Sequence, residues 1–171
     1  MACNHCSDSC KLCTSDIVLF SNLPLEEQQN LQEISRHRTF TRGDILFYAG
    51  DKADVLRIVH GGKVKLHNYD LEGKEQIYDI IGDGDSIGED LFLENNAVYP
   101  YDATCITDGR MCEISKDIFM DLLRAKPEVA MNLIGSLSRK LQQANERMDV
   151  LSENDAGMRL ATFFYNRCKR Q

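Results

Sequence analysis

Residues 127–152 read PEVAMNLIGSLSRKLQQANERMDVLS, with apolar side chains at alternating intervals of four and three residues. These side chains belong to Ala130, Ile134, Leu137, Leu141, Ala144, Met148 and Leu151. The spacing is a heptad repeat, which is typical of a long helix whose apolar seam packs against another helix. Pro127 and Glu128 suit the first turn of such a helix, because that turn tolerates a missing N–H and favours negative charge.

The length of this helix indicates a partner chain. A helix of about 25 residues spans roughly 37 Å, which is more than the core of a small domain requires. No charged residue interrupts the seam, so we expect a parallel two-chain coiled coil, a homodimer that forms without a signal. The predicted dimer interface consists of Ile134, Leu137, Leu141, Ala144, Met148 and Leu151. The alternative is a long helix that packs on its own domain.

The residues before this helix have the pattern of an antiparallel β domain. Glycines recur about every ten residues from Gly43 to Gly88 and separate short β-prone segments. Leu56 and Ile58 alternate in the way that predicts a sheet with one face in water. The predicted elements are strands at 45–48, 55–59, 63–69 and 76–81, two more between 101 and 114, and helices at 25–35 and 116–124. Many short strands joined by glycine turns predict a mainly β fold with added helices, as a sandwich, barrel or jelly roll.

The overall charge and hydropathy exclude some classes of function. The chain of 171 residues has a formal net charge of −7, so bulk electrostatics does not attract it to a polyanion. Any contact with nucleic acid must come from a local patch or from residues outside this chain. The sequence has no apolar run of membrane-spanning length and no signal peptide, so we expect a cytoplasmic protein that contacts no membrane.

Four of the seven cysteines lie at the N-terminus, at Cys3, Cys6, Cys10 and Cys13. In a reducing compartment, clustered cysteines indicate metal or redox chemistry more often than disulfides. The pattern Cys-x2-Cys-x3-Cys-x2-Cys allows a turn to bring thiolates to one side. Four thiolates could bind zinc, or three could hold an iron–sulfur cluster with one more cysteine from elsewhere. A tail with inert thiols is the alternative.

The heptad pattern breaks at residues 152–155, which contain good N-cap residue types. A further helix follows, with apolar residues such as Met158, Leu160 and Phe164 and basic residues near its end. We expect this helix to begin a second, incomplete domain. A lone terminal helix that folds back on the first domain is the alternative.

Four motifs follow one another in a specific order and spacing. They are Gly43-Asp44-x-Leu46-Phe47-x-x-Gly50-Asp51, Leu56…Gly62-x-Val64, Gly82-Asp83-x-x-x-Ile87-Gly88-Glu89 and Glu113-Ile114-Ser115. Over residues 19–171 the chain resembles the effector portion of the Crp–Fnr family of bacterial transcription regulators. The resemblance implies a double-stranded β-helix, a jelly roll like that of cyclic-nucleotide-binding domains, followed by a long dimerisation helix. In that family a helix-turn-helix domain comes next, so DNA would be bound by a C-terminal domain that is not in this chain.

The resemblance also implies an organisation in four parts. These are a cysteine-rich segment at 1–15, a β-roll effector domain at 16–126, a dimerisation helix at 127–152, and a hinge with the first helix of an incomplete DNA-binding domain at 153–171. The chain would then be a regulator, and we expect no enzymatic activity.

The same resemblance places an effector pocket at Gly88, Glu89, Tyr99 and Asn145. Members that bind cyclic nucleotides hold ribose with the glutamate matched by Glu89 and phosphate with an Arg-Ser pair. That pair reads Tyr99-Pro100 here, and Ala144-Asn145 replaces the hydroxyl pair that contacts adenine. A phosphate without its guanidinium partner would be poorly compensated, so cyclic AMP is not an expected ligand.

The cysteines resemble those of the iron–sulfur, Fnr-like branch of the family. Cys112 resembles the remote cluster ligand of those oxygen sensors, whereas we expect Cys105 to be a small core residue. The N-terminal set is more compact than in the sensors and has one extra cysteine. Two ligand sets for a 4Fe–4S cluster therefore stay open, three of the four plus Cys112 or all four without it, and zinc remains an alternative.

Two functions follow from the resemblance. The first is a transcription regulator that responds to oxygen or redox state through the cluster. The second is a regulator of the same fold that senses a small organic effector in the β-roll, with cysteines that bind structural zinc or are idle. A thiol switch or an enzyme is a third option. No nucleophile–base pair is evident for it, because His37, His60 and His67 lie scattered on or beside strand segments, where lone histidines are usually surface or core residues.

Overall fold

The computed structural model describes residues 19–20, 23–90, 94, 96–152 and 155–168 of the chain. Its helices and strands are α1 (Leu25–Ile34), β1 (Arg36–Phe40), β2 (Ile45–Phe47), β3 (Val55–Val59), β4 (Val64–Tyr69), β5 (Glu75–Ile81), β6 (Ser86–Ile87), β7 (Asp102–Cys105), β8 (Gly109–Ser115), α2 (Lys116–Ala125), α3 (Pro127–Ser152) and α4 (Ala156–Cys168). This order of elements confirms the predicted mainly β class with added helices.

The strands form two antiparallel sheets with the orders β1-β8-β3-β6 and β2-β7-β4-β5. Side chains from both sheets meet in one core, which includes Phe47, Val59, Val64, Cys105 and Met111. Two antiparallel sheets around one core and a long helix after them confirm the predicted jelly roll. Cys105 is the small core residue that the sequence indicated, with only 1% of its surface exposed.

β3 is buried on both faces, so the prediction of one face in water is wrong for this strand. Leu56 and Ile58 on one face are fully buried, and Arg57 and Val59 on the other face are 9% and 0% exposed. The strand lies between β8 and β6, and helix α2 packs against β3 and β8. Phe119 is the buried side chain of α2. Ser115 caps the N-terminus of this helix, since its hydroxyl accepts a hydrogen bond from the N–H of Ile118 at 3.5 Å.

Two strands, β1 and β6, have no counterpart in the sequence-based prediction. β1 reads Arg-His-Arg-Thr-Phe and contains a single apolar residue, Phe40, because it is an edge strand whose polar side chains reach water. β6 is two residues long and gives no periodic signal. β1 is nevertheless important, since it pairs with β8 and sets His37 opposite Cys112.

Helix α3 covers the 26 residues that the heptad pattern predicted. The chain divides into two compact units, of which the first ends at Asn132 and the second begins at Leu133. In the second unit, α4 leaves Met158, Leu160 and Phe164 more than half exposed. No helix within the described ranges is long and apolar enough to cross a membrane.

Residues 19–34 are fastened to α2 and to the start of α3. Phe20 packs edge to face on the buried phenylalanine of α2, with ring centroids 6.5 Å apart. The side-chain amide of Asn132 in α3 donates a hydrogen bond to the carbonyl of Leu19 at 3.2 Å. Glu27 of α1 forms an ion pair with Lys126, at the junction of α2 and α3, and this pairing raises the pKa of the lysine. The chain that follows the cysteine-rich segment therefore contacts the first turns of α3.

Candidate functional site

Cys112 lies in β8, inside the sheet β1-β8-β3-β6. The strand register places it between His37 of β1 and Ile58 of β3. Its side chain is buried, with 3% of the residue exposed. Neighbouring residues of a strand point to opposite faces, and Met111 belongs to the core between the sheets. The sulfur of Cys112 therefore lies on the outer face of this sheet.

Two histidines converge on the sulfur of Cys112. Nε2 of His60 lies 3.0 Å from Sγ, and Nδ1 of His37 lies 3.2 Å from it. A thiol can donate to one ring nitrogen and accept from the other, whereas a thiolate accepts from both. The interpretation of these histidines as scattered residues is therefore wrong. Sheet pairing brings together side chains that are 52 and 75 residues apart in the sequence.

The backbone around His60 fixes its position. Its N–H donates to the carbonyl of Arg110 at 2.8 Å, and Nε of Arg110 donates to the carbonyl of His60 at 3.2 Å. Gly62 has a φ of +83°, and a Cβ there would lie 2.5 Å from the carbonyl oxygen of Asp108. Only glycine allows this close approach of two turns. The imidazole of His60 is thus presented by a rigid part of the β-roll.

The third histidine, His67, belongs to a different environment. Its Nε2 lies 2.8 Å from the hydroxyl of Thr104, and its Nδ1 lies 3.3 Å from a carboxylate oxygen of Glu75. These are contacts within the sheet β2-β7-β4-β5. His67 therefore takes part in sheet packing and has no contact with the Cys112 sulfur.

The predicted metal ligands are divided between described and undescribed residues. Cys3, Cys6, Cys10 and Cys13 lie outside the described residues, so the ligand set stays a prediction. Within the described ranges, no group of three or more His, Cys, Asp or Glu side chains could hold a metal ion. Cys112 would therefore need ligands from outside those ranges. A buried sulfur beside two imidazole nitrogens does fit an iron–sulfur ligand, because cluster thiolates accept hydrogen bonds.

Three residues of the predicted effector pocket, Gly88, Glu89 and Tyr99, are buried in the β-roll. A Cβ on Gly88 would lie 3.0 Å from the carbonyl oxygen of Val55 and 3.3 Å from the hydroxyl of Tyr99, and φ at Gly88 is +98°. Both the close approach and the conformation favour glycine. Glu89 and Tyr99 are buried, with 2% and 1% exposed. Asn145 is exposed on α3, in the second unit.

The ring and the hydroxyl of Tyr99 both make contacts inside the β-roll. Its ring stacks on that of Phe47, with centroids 3.6 Å apart and planes inclined by 17°. Its hydroxyl accepts a hydrogen bond from Arg57 at 2.7 Å and donates one to the carbonyl of Val55 at 3.0 Å. Burial raises the pKa of Tyr99, so the neutral phenol is the stable form.

Arg57 is the cation beside Tyr99, and its guanidinium also contacts a carboxylate and an aromatic ring. Its Nε donates to a carboxylate oxygen of Glu113 at 3.2 Å, and both side chains are 11% exposed. Its guanidinium carbon lies 5.0 Å from the centroid of the Phe47 ring and 5.6 Å from that of Tyr99. Arg57 thus has a carboxylate and a phenol as partners inside the β-roll, and Glu113 also lies 3.9 Å from Nη1 of Arg38.

A cavity of about 420 Å³ lies elsewhere on the β-roll, beside the N-terminus of α2. It is lined by residues 52–55, 96–97 and 115–117, and by none of the four predicted pocket residues. Its two lysines have partners in the protein. Lys52 pairs with Asp54 at 3.3 Å, and Lys116 donates to the carbonyl of Glu94 at 2.8 Å. Both lysines of this lining thus have a partner among the described residues.

The predicted dimer interface is largely exposed in the single chain. It consists of Ile134, Leu137, Leu141, Ala144, Met148 and Leu151. Ile134, Leu141 and Met148 are 56%, 64% and 57% exposed. Ala144 is also exposed and Leu137 is half-buried, whereas the side chain of Leu151 is not described. A row of large apolar side chains in water is unfavourable, but the seam itself stays a prediction.

Comparison with known proteins gives consistent matches. Residues 37–126 match the family model described as cyclic nucleotide-binding domain. The Cyclic AMP receptor protein of Thermus thermophilus is 31% identical over 143 residues, which cover 84% of this chain and 66% of that protein. The Anaerobic regulatory protein of Pasteurella multocida is 29% identical over 167 residues, which cover 97% of this chain and 59% of that protein.

A solved structure has the same fold. The Catabolite Activator Protein of Thermus thermophilus superposes with a TM-score of 0.67 at 30% identity, covering 79% of this chain and 63% of that chain. This chain spans 66% and 59% of the two curated relatives, so it corresponds to less than two thirds of either. Because the family model covers more than half of the chain and these relatives are regulators, the chain belongs to the Crp–Fnr family, with Fnr-like proteins among its relatives.

Proposed function

We propose that this chain is the sensory and dimerisation part of a DNA-binding transcription regulator that responds to oxygen or redox state. Its sensor is a 4Fe–4S cluster bound by Cys112 and three of the four N-terminal cysteines. The cluster supplies a group that oxygen can oxidise or dismantle. The name of the Pasteurella multocida relative, Anaerobic regulatory protein, supports this direction.

The environment of Cys112 is the observation that carries the proposal. A structural cysteine is usually packed as a small apolar side chain. The sulfur of Cys112 instead has ring nitrogens of His60 and His37 at 3.0 and 3.2 Å. In the tautomers that carry protons on these nitrogens, both rings would donate to the sulfur, and such donors favour the thiolate that ligates iron. Cys112 therefore suits a ligand role better than a packing role.

The interior of the β-roll gives less support to a small organic effector. Tyr99 stacks on Phe47 and uses its hydroxyl within the protein. Arg57 is paired with Glu113. An effector in this region would have to displace the stacked ring or break the ion pair, and either change costs free energy. We therefore infer that cyclic AMP and similar anions are not the signal.

The contacts of residues 19–34 support a route from the cysteines to α3. Leu19 follows the N-terminal cysteines in the chain and accepts a hydrogen bond from Asn132 of α3. The Glu27–Lys126 ion pair and the packing of Phe20 on α2 fasten the same segment. A change in the cysteine-rich segment would therefore act on the first turns of α3 directly. Strain at Cys112 would reach α2 and α3 through the end of β8.

DNA binding and dimerisation complete the proposal. About a third or more of the length of each of these two relatives lies outside the matched region, which leaves room for a DNA-binding domain. Homodimerisation along the α3 seam would bury Ile134, Leu141 and Met148. A dimer of this kind matches the two-fold symmetry of typical operators.

Purification without oxygen tests the sensor. We expect a brown protein with about four iron and four sulfide ions per chain, as a 4Fe–4S cluster requires, and bleaching of its visible absorbance in air. Iron and sulfide analysis with the absorption spectrum measures both. A colourless protein with stoichiometric zinc would refute the cluster and favour a structural metal.

The substitution Leu141→Glu tests the dimer. Two carboxylates facing each other in an apolar seam would weaken association by at least about a hundredfold in Kd, because neither charge has a partner. Gln143→Glu is the matched control, since it adds the same charge at an exposed position beside the seam. Sedimentation equilibrium should give a monomer for the first variant and a dimer for the second. Dimers of equal stability in both variants would exclude this seam.

A further inference from the structure

We propose that His37 and His60 are positioning residues that orient and polarise the sulfur of Cys112, each by donating a ring N–H to it. This rests on the proposed function, because it names the residues that tune the proposed cluster ligand. Neither histidine is among the residues named in the four motifs quoted from the sequence.

The two imidazoles reach the sulfur from different parts of the fold. His37 is directly opposite Cys112 in the β1–β8 register, and its Nδ1 faces the sulfur at 3.2 Å. His60 follows β3 and presents Nε2 at 3.0 Å. Its backbone is bonded to that of Arg110 in β8. Both rings are therefore held by the same sheet that holds the sulfur.

Both histidines can donate while neutral. A neutral imidazole carries one N–H, so His60 would carry its proton on Nε2 and His37 would carry its proton on Nδ1. Neither ring has to become charged for this arrangement. A Cys112 thiolate would then accept two N–H···S hydrogen bonds, and its lone pairs would be fixed in direction.

Such hydrogen bonds change the properties of a bound cluster. A donor to the ligand sulfur draws electron density away from the metal and stabilises the reduced state, so the reduction potential rises. Removing a donor should therefore lower the potential and make the cluster easier to oxidise. A histidine that merely fills space would have no such effect.

Matched substitutions distinguish a histidine that donates a hydrogen bond to the sulfur from one that only fills space. His60→Leu and His37→Leu remove the N–H but keep much of the volume. His60→Gln retains a donor near the position of Nε2, and His37→Asn retains one near the position of Nδ1. We expect a lower cluster potential in both Leu variants and values close to that of the native protein in the Gln and Asn variants. An electrochemical titration monitored by electron paramagnetic resonance measures this.

The failure of this inference can be told apart from failure of the proposed function. A native protein with a cluster and Leu variants with unchanged potentials would overturn the inference alone. A native protein without iron would overturn the proposed function, and the histidines would then be tested in the metal-free chain. Nitrogen-15 chemical shifts of Nε2 in His60 and Nδ1 in His37 should change on Cys112→Ala. Unchanged shifts would overturn the inference.

Discussion

Cys105 and Cys112 are both buried in the β-roll, yet their surroundings differ. Cys105 lies in the core between the two sheets, where burial raises the pKa of its thiol to about 11. Cys112 lies on the outer face of one sheet, with ring nitrogens of His60 and His37 beside its sulfur. Burial alone makes a thiol inert, whereas burial beside N–H donors favours a thiolate. In the proposed function, the outward-facing Cys112 is therefore the ligand and the core residue Cys105 is not.

The inner and outer faces of the β-roll as a whole differ in the same way as the two cysteines. Its inner face is filled by side chains that satisfy one another, such as Phe47, Tyr99 and Arg57. Its outer face holds the polar group formed by Cys112, His37 and His60. Helix α2, which contacts β3 and β8, is the element on which Phe20 packs. In the proposed function the sensor therefore lies on the outside of the β-roll and not in its interior.

The largest expected effect concerns the filled interior. Tyr99→Ala should lower the free energy of unfolding by about 3–5 kcal/mol, because it leaves a cavity beside Phe47 and removes the partner of Arg57. Tyr48→Ala is the control, since Tyr48 is 55% exposed, and it should cost less than about 1 kcal/mol. Urea denaturation of both variants measures the difference. A small loss for Tyr99→Ala would contradict the tight packing of Tyr99 in this interior.

A smaller effect is expected for the pH dependence of stability, through the buried thiol of Cys105. The pKa of Cys105 is raised from 9.0 to about 11, so the folded state retains a proton that the unfolded state loses as the pH rises past 9.0. The titration of this thiol therefore leaves the free energy of unfolding unchanged below pH 9.0 and lowers it by about 1.4 kcal/mol at pH 10. Cys105→Ala retains the other titrating groups and lacks this loss.

Comparing the native chain with Cys105→Ala isolates the effect of the Cys105 thiol on stability. Denaturant unfolding at pH 8 and pH 10, with reducing agent present, gives the change in the free energy of unfolding for each. The native chain should lose more stability than Cys105→Ala over this interval. Equal losses would show that this thiol is not protected by the core.

The fold could be predicted from the sequence to a large extent. The heptad spacing gave helix α3, and the glycine-separated segments gave most of the strands. β1 was missed because an edge strand carries polar residues that resemble a loop. The burial of β3 on both faces depends on packing by α2, which no local pattern reports.

The candidate site was only half predictable. The identity of Cys112 and the loss of the Arg-Ser pair at Tyr99-Pro100 were visible in the sequence. The two histidines were not, because their proximity to Cys112 depends on strand register across separations of 52 and 75 residues. The stacking of Tyr99 on Phe47 likewise depends on tertiary structure.

The most direct test of the sulfur site compares Cys112→Ser with Cys168→Ser, both purified without oxygen. Cys168 is exposed on α4 and serves as the control for the loss of one thiol. Iron and sulfide per chain, with the visible spectrum, are the measurement. We predict a native cluster content in Cys168→Ser and loss of most of the cluster in Cys112→Ser. A native cluster content in Cys112→Ser would contradict the assignment of Cys112 as a ligand.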